Sequence, residues 1–374
     1  MESSEALPND VVEASDLREI VRSDGPFLSM YLNTEQHVEN AAQRTLTRWK
    51  TIRSDLDDRG VSGRLLDEID ELVPDAHLEG ACLAAIGGEE QLLHVEHGPP
   101  VGPNDEATWG SLPVVRPIVG WRQSQPAYVV VLIDRTGADL FGVRRGSADL
   151  HAEVEGEHDE IRKVGPGGWS QHRYQQRAED SWEQNAEQVA EAVERLVVQV
   201  QPAFVAVAGD VRAVGLLRGS LPKETADLVH VIEGERPWDG KGDPIPDEVG
   251  DLVDRHVSDG ETRLLERFEQ ERGQHDKAVE GAAATAAALS RAQVAILLVA
   301  DSVGDQQLWF GPDPTLVAAS DTDLKELGVD SPEQGPARDV LVRAALGTDA
   351  AVRIVDDAAP LKDGVGGLLR WSTS

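Results

Sequence analysis

Between Tyr128 and Leu217 the chain passes through apolar runs and turn signals in an order that few folds accommodate. Tyr128-Val129-Val130-Val131-Leu132-Ile133 ends at Asp134, and Arg135-Thr136-Gly137 reads as a turn, so residues 138–143 are expected to return antiparallel. Residues 149–155 alternate once more and complete a three-strand meander. In residues 178–199, Val189, Val193, Leu196 and Val197 share one face, which predicts a long helix. Residues 204–210 form an apolar strand and 211–217 a short helix. Three antiparallel strands, a helix, a strand and a helix predict a mixed α/β domain that opens near Pro126.

The flanking segments read as α/β units of their own, giving three domains, 1–122, 123–232 and 246–374. In the first, residues 26–32 read as a buried strand. Residues 39–59 and 63–73 read as helices with Leu46, Trp49, Ile52 and Leu56 at helical spacing, and 81–87, 91–96 and 113–118 as strands. Residues 233–244 are turn-rich and read as a connection. Residues 246–292 are helical in pattern, with a break near Gly273; strands follow at 293–300, 308–310 and 351–355, with a helix at 337–346. The last domain is therefore expected to be a small α/β sandwich. The single cysteine, Cys82, excludes an intramolecular disulfide and lies in an apolar run that reads as a structural thiol.

Acids outnumber bases 68 to 35 and the formal net charge is −33, which disfavours nucleic-acid binding over the whole surface and requires any such contact to be local. One stretch fits. Residues 162–178 contain Arg162, Lys163, Arg173 and Arg177 and no acid. Within it, Gly165-Pro166-Gly167-Gly168 can bring backbone N–H groups close to an anion at the start of the following helix, and the same four residues equally suit an exposed turn. Gln171 can orient a water or bond a ribose hydroxyl, Trp169 can stack on a base, and Arg173 and Arg177, one turn apart, can track phosphates. As the other reading, these side chains are helix-surface polarity and a tryptophan packed on its own domain.

Nucleotide fingerprints of the Gly-x-Gly-x-x-Gly and Gly-x4-Gly-Lys-Ser/Thr types are absent, Ser170 lacks the flanking glycines of a hydrolase elbow, and no zinc ligand set appears, so no cofactor or metal is expected. His94 and His97 read as surface histidines, and Asp134 and Asp210, each ending a strand, as turn residues whose alternative is Mg²⁺ ligation. Residues 1–9 lack a signal-peptide pattern and no apolar run reaches bilayer length, so the expected location is the cytoplasm, away from membranes.

The order of three α/β domains, the middle one with a ribonuclease H-like arrangement and a Gly-Gly loop before a long helix, resembles the archaeal and eukaryotic class-one release factors and their relative Pelota. It is most similar to the bacterial, actinobacterial members that resemble Balon-like ribosome hibernation factors. The ending Leu361-Lys362-Asp363-Gly364-Val365-Gly366-Gly367-Leu368-Leu369-Arg370 adds to the resemblance. The resemblance implies binding to ribosomal RNA in the ribosomal A site, with tRNA and elongation factor Tu as further partners and the loop reaching toward the peptidyl transferase centre. It makes Gly167, Gly168 and Gln171 the candidate catalytic residues, and Arg162, Lys163, Trp169, Arg173 and Arg177 the candidate RNA contacts. Release factors have Gly-Gly-Gln, whereas Trp169 and Ser170 intervene here, and Gly168-x-x-Gln171 is similar to the loop of a quality-control factor that cuts peptidyl-tRNA. Three readings follow: a ribosome hibernation or rescue factor that occupies the site, a peptidyl-tRNA hydrolase in which Gln171 orients water, and a non-ribosomal acidic stress protein that binds another polyanion.

Overall fold

The computed structural model describes residues 14–34, 40–144, 147–155, 170–234, 248–274, 277–301, 304 and 306–372, with side-chain surroundings at all of these except 147–149, 155 and 170–181. They fall into two compact units: Met1–Gln123 with Glu261–Ser374, and Ser124–Gly260.

The chain begins with α1 (Ser15–Arg22), β1 (Phe27–Asn33), α2 (Ala41–Asp58), α3 (Gly63–Leu72) and the single turn α4 (Ala76–Glu79). It continues through β2 (Cys82–Gly87), β3 (Leu92–Gly98), β4 (Glu106–Gly110) and α5 (Arg116–Ser124). The strands form one antiparallel sheet in the order β3-β2-β1-β4. Because side chains alternate across a strand, Leu28, Met30 and Leu32 of β1 pack with Trp49 and Leu56 of α2 and Leu65 and Ile69 of α3, while Phe27 and Tyr31 face a second core. Residues 113–118, expected as a strand, instead lead into α5. Pro117 sits in its first turn, where a missing N–H breaks no helical bond, and Ile118, Val119 and Trp121 are buried.

His94 corrects the reading of a surface histidine. Its side chain is 11% exposed, with Nε2 3.0 Å from Glu96 and Nδ1 3.4 Å from Asp16. Between those carboxylates the buried Arg122 guanidinium donates to Asp16 at 2.8 and 2.6 Å and to Glu96 at 2.7 Å, so one cation ties α1, β3 and α5 together. A histidine between Leu93 and Val95 gives no sequence sign of this, since the guanidinium that completes the cluster lies 28 residues away. Cys82 is buried, as expected, and desolvation pushes its thiol up to about 12, an inert group at neutral pH.

The middle unit contains β5 (Tyr128–Ile133), β6 (Gly137–Arg144), β7 (Ser147–Glu155), α6 (Ser170–Val200), β8 (Phe204–Gly209), α7 (Val211–Ser220), the short α8 (Lys223–Ala226) and β9 (Val229–Val231). The sheet order is β7-β6-β5-β8-β9, with β5, β6 and β7 antiparallel and β8 and β9 parallel to β5. This is the ribonuclease H-like arrangement expected, with β9 as an added edge strand too short for a periodicity signal. Gly209 has φ 137° and a Cβ there would lie 1.7 Å from the carbonyl oxygen of Ile133, so only glycine lets β8 end alongside β5.

The chain then enters α9 (Glu248–Gln274), whose first turns place Val249 and Leu252 against Val130, Leu132 and Phe204 of the middle sheet. It is followed by β10 (Ala278–Glu280), α10 (Ala282–Leu289), β11 (Val294–Ala300), β12 (Gln307–Phe310), β13 (Val317–Ala318), α11 (Asp321–Glu326), β14 (Glu333–Pro336), α12 (Ala337–Gly347), β15 (Ala351–Val355) and β16 (Val365–Leu369). They make a sheet β10-β16-β11-β15 and a small one β13-β12-β14. Ile296, Leu298, Val340 and Leu346 share one core with Phe27, Tyr31, Ala84 and Ile86, so the first and last segments keep separate sheets over common packing. At the edge strand β15, the Gln123 side chain donates to the Ile354 carbonyl and accepts from the Ile354 N–H at 2.9 Å, occupying backbone groups that would otherwise invite another strand.

Burial opposes the Asp16 charge, but Arg122, His94 and the Leu17 N–H more than offset it and hold the carboxyl at about 2, below its ordinary 3.8. A group depressed in the folded state stabilises fully above its unfolded value and loses that contribution as pH falls toward the folded one. Acid titration followed by circular dichroism is therefore expected to show stability falling between about pH 5 and pH 2, by roughly 1 kcal/mol after solvent screening of this half-exposed side chain, a component absent from Asp16→Asn.

Candidate functional site

The candidate residues belong to the connection between β7 and α6. With β5, β6 and β7 antiparallel in turn and β8 parallel to β5, β7 ends and α6 begins at the carboxyl end of β5 and β8. In an open α/β sheet that end is where ligands collect. Arg162, Lys163, Gly167, Gly168 and Trp169 lie outside the described residues. Gln171, Arg173 and Arg177 are placed by backbone alone, in the first turns of α6, with their side chains outside the described set.

α6 begins eight residues before the 178 expected from the apolar pattern, so Gln171 belongs to the first helical turn. The run Ser170-Gln171-His172-Arg173-Tyr174-Gln175-Gln176-Arg177 has no glycine or proline to stop a helix, and lacks the apolar stripe by which a helix announces itself. Its first turn contains no acid, which leaves the positive pole of the helix without a neutralising side chain of its own. At 31 residues α6 is about 46 Å long, and its start lies about 18 Å along the axis from Trp182.

Ala186, Val189, Ala190, Val193, Leu196 and Val200 of α6 are buried against the sheet. Where this packing begins, the Arg135 and Arg212 guanidinium carbons stand 5.1 and 5.3 Å from the Trp182 ring centroid, and the Asn185 amide donates to the Arg135 carbonyl at 3.2 Å. Arg135 also pairs with Asp210 at 3.0 Å. Arg135, Trp182 and Asn185 line a small pocket together with Ile133, Val189, Ala213 and Leu216. Gln171, Arg173 and Arg177 thus lie in the first turns of a helix that packs on the sheet from Trp182 onward.

Asp134 and Asp210 act as turn and cap. Asp134 Oδ1 accepts from Thr136 N–H and hydroxyl, both at 2.7 Å, and from Gly137 N–H at 2.9 Å. Asp210 N-caps α7, accepting from Arg212 and Ala213 N–H. Burial raises its pKa, but the Ala213 and Arg212 N–H groups and Arg135 outweigh it and hold the carboxyl below its usual range. Among the described residues no group of three or more His, Cys, Asp or Glu could hold a metal ion, and no helix is long and apolar enough to cross a membrane. Sequence reasoning missed Arg135, Trp182, Asn185 and Arg212 as a group, because only the parallel pairing of β5 and β8 brings residues 135 and 212 together.

The ribonuclease H-like meander and its crossover helix α6 fall in the part of the chain that a known release-factor family matches. Residues 127–274 match the family model described as bacterial archaeo-eukaryotic release factor family 2. The chain is 31% identical over 372 residues to the uncharacterized proteins Rv2629 and MT2704 of Mycobacterium tuberculosis strains H37Rv and CDC 1551, covering 96% of this chain and 96% of each relative. The chain belongs to the bacterial archaeo-eukaryotic release factor family. Among solved structures it is similar to Archaeoglobus fulgidus Pelota (13% identity, TM-score 0.34, 97% and 94% of the two chains). It is also similar to archaeal Pelota in a model of ribosome-bound Pelota and ABCE1 (12%, 0.42, 100% and 100%). A further similar structure is Dom34 of S. cerevisiae, described as a translation termination-like factor interacting with Hbs1 (10%, 0.40, 79% and 74%).

Trp182→Ala removes the ring beneath both guanidinium groups and is expected to cost about 2 kcal/mol in denaturant unfolding, with Trp182→Phe recovering most of it. Amide exchange along the first described turns of α6 should accelerate in the alanine variant.

Proposed function

We propose that this chain is a ribosome-binding translation factor that occupies the A site in hibernation or rescue, with functional domains at 1–122, 123–232 and 246–374. The reading is supported by membership of the release factor family together with the acid-free run of residues 162–178, whose last residues open α6 from Ser170. Gly167, Gly168 and Trp169 approach the peptidyl transferase centre, and Arg162, Lys163, Arg173 and Arg177 neutralise phosphates of ribosomal RNA, with tRNA and elongation factor Tu as accompanying partners. A bulky Trp169, where release factors keep small residues before Gln, favours occupancy over chemistry. The spacing Gly168-x-x-Gln171 favours a second reading, a peptidyl-tRNA hydrolase in which the Gln171 amide orients the attacking water.

Sedimentation with ribosomes from stationary-phase cells is expected to carry the chain into the ribosome pellet; its absence there would favour an acidic stress protein acting elsewhere. Arg173→Ala and Arg177→Ala should each weaken pelleting and lower its salt slope by about one ion per contact. On stalled ribosomes carrying peptidyl-tRNA, occupancy predicts no peptide release and no effect of Gln171→Ala. Release by the intact protein that Gln171→Ala abolishes, with pelleting retained, would establish the hydrolase instead, since a water-orienting amide acts in the transition state.

A further inference from the structure

We propose that the outer edge of β15 is a clasp that holds both ends of segment 124–260 at one place, so that the two chain crossings loosen or close together. The first compact unit breaks off at Gln123 and resumes at Glu261. Both residues are bound to the same strand edge. The Gln123 side chain donates to the Ile354 carbonyl and accepts from the Ile354 N–H at 2.9 Å, and the Glu261 carboxylate accepts from the Asp356 N–H at 2.9 Å. All four residues belong to that one unit.

Successive residues of a strand turn their backbone groups to opposite sides, so Ile354 and Asp356, two apart, present theirs to the same side. β15 is the last strand in the order β10-β16-β11-β15, and its inner side pairs with β11. The outer side would ordinarily invite another strand. Gln123 supplies what such a strand would, because its planar amide carries the donor and acceptor that a peptide unit offers and meets both groups of Ile354. At the next outward position the Asp356 carbonyl already accepts from the Ala359 N–H at 2.9 Å. That position lacks only an acceptor for its N–H, and Glu261, whose carboxylate has no donor, fits it.

The two anchoring points lie about 7 Å apart along the edge. Beside them, Ile118, Val119 and Trp121 of α5 and Leu264 and Phe268 of α9 share the buried core that contains Ile354 and Val355. Each anchor therefore reaches its bond only while its helix is seated, and an edge seated by one anchor is held in register for the other. Losing either bond lets the edge move and weakens the second, which makes the exit and the return of segment 124–260 one cooperative element.

Amide exchange in the free chain tests the clasp without a ribosome. Gln123→Ala removes the partner of Ile354, and the coupled edge is expected to raise exchange about tenfold at Asp356 as well, although Glu261 is untouched. Glu261→Ala should do the same at Ile354. Glu261→Gln keeps an acceptor and should preserve protection at both amides. Gln123→Glu keeps the acceptor but loses the donor to the Ile354 carbonyl, and should behave like Gln123→Ala. Subtilisin nicking within residues 124–127 and 257–261, read by mass spectrometry, should rise together in either alanine variant. Circular dichroism should be unchanged, since neither side chain belongs to the buried core. Exchange raised only at the amide whose own partner was removed, or nicking confined to one crossing, would overturn the clasp, as would a Gln123→Glu variant that exchanges like the wild type.

Discussion

The parallel pairing of β5 with β8 is buried on both faces, and the middle unit depends on it. Val129, Val131, Ile133, Val205 and Val207 lie beneath α6 and α7, and Val130, Leu132, Phe204, Ala206 and Ala208 face the other core with Val249 and Leu252 of α9. Parallel strands cannot be joined by a hairpin, so a helix must cross over between them. Since the preceding meander ends level with the carboxyl ends of β5 and β8, that crossover has to start there. The start of α6 at that end is thus a consequence of strand direction, and the Arg135-Trp182-Arg212 packing lies at the same end.

Electrostatics then decides where a polyanion can approach a chain with net charge −33. Several arginines are already committed. Arg122 is enclosed by Asp16 and Glu96, Arg116 pairs with Asp301 and Asp339, and Arg135 pairs with Asp210. These pairs hold elements together and offer little to an incoming phosphate. The acid-free run at 162–178 differs in kind, because its last residues, from Ser170, open a helix whose first turn lacks a carboxylate. In a strongly negative protein such a place lowers the repulsion that a polyanion would meet elsewhere.

The other unit shows why sequence distance is a poor guide to packing. The N-terminal sheet has two apolar faces; α2 and α3 cover one, and the strands and helices of the last third share a core with the other. Arg22 donates to the Gly347 carbonyl at 2.9 Å across 325 residues, and Gln123 pairs with Ile354 across 231. Such contacts bring two sheet systems into one unit although each was legible as a separate α/β segment.

Hydrophobic alternation and turn residues determined most elements of the chain: the meander, the strands at 204–209 and 294–300, the helices at 41–58 and 337–347, and the ribonuclease H-like order. They also exposed the cationic run, because charge is readable without coordinates. Periodicity reports that a face is buried without saying against what, and it is silent for polar helices and very short strands. For that reason the early start of α6 at Ser170, the helix at 116–124, the strand β9 and the burial of His94 emerged only in three dimensions. The sharing of a core between the first and last segments, and the meeting of Arg135 with Arg212 over Trp182, were decided by tertiary structure alone. Both arise from contacts between residues far apart in the chain, whose pairing energy depends on the finished sheet and leaves no local trace in the sequence.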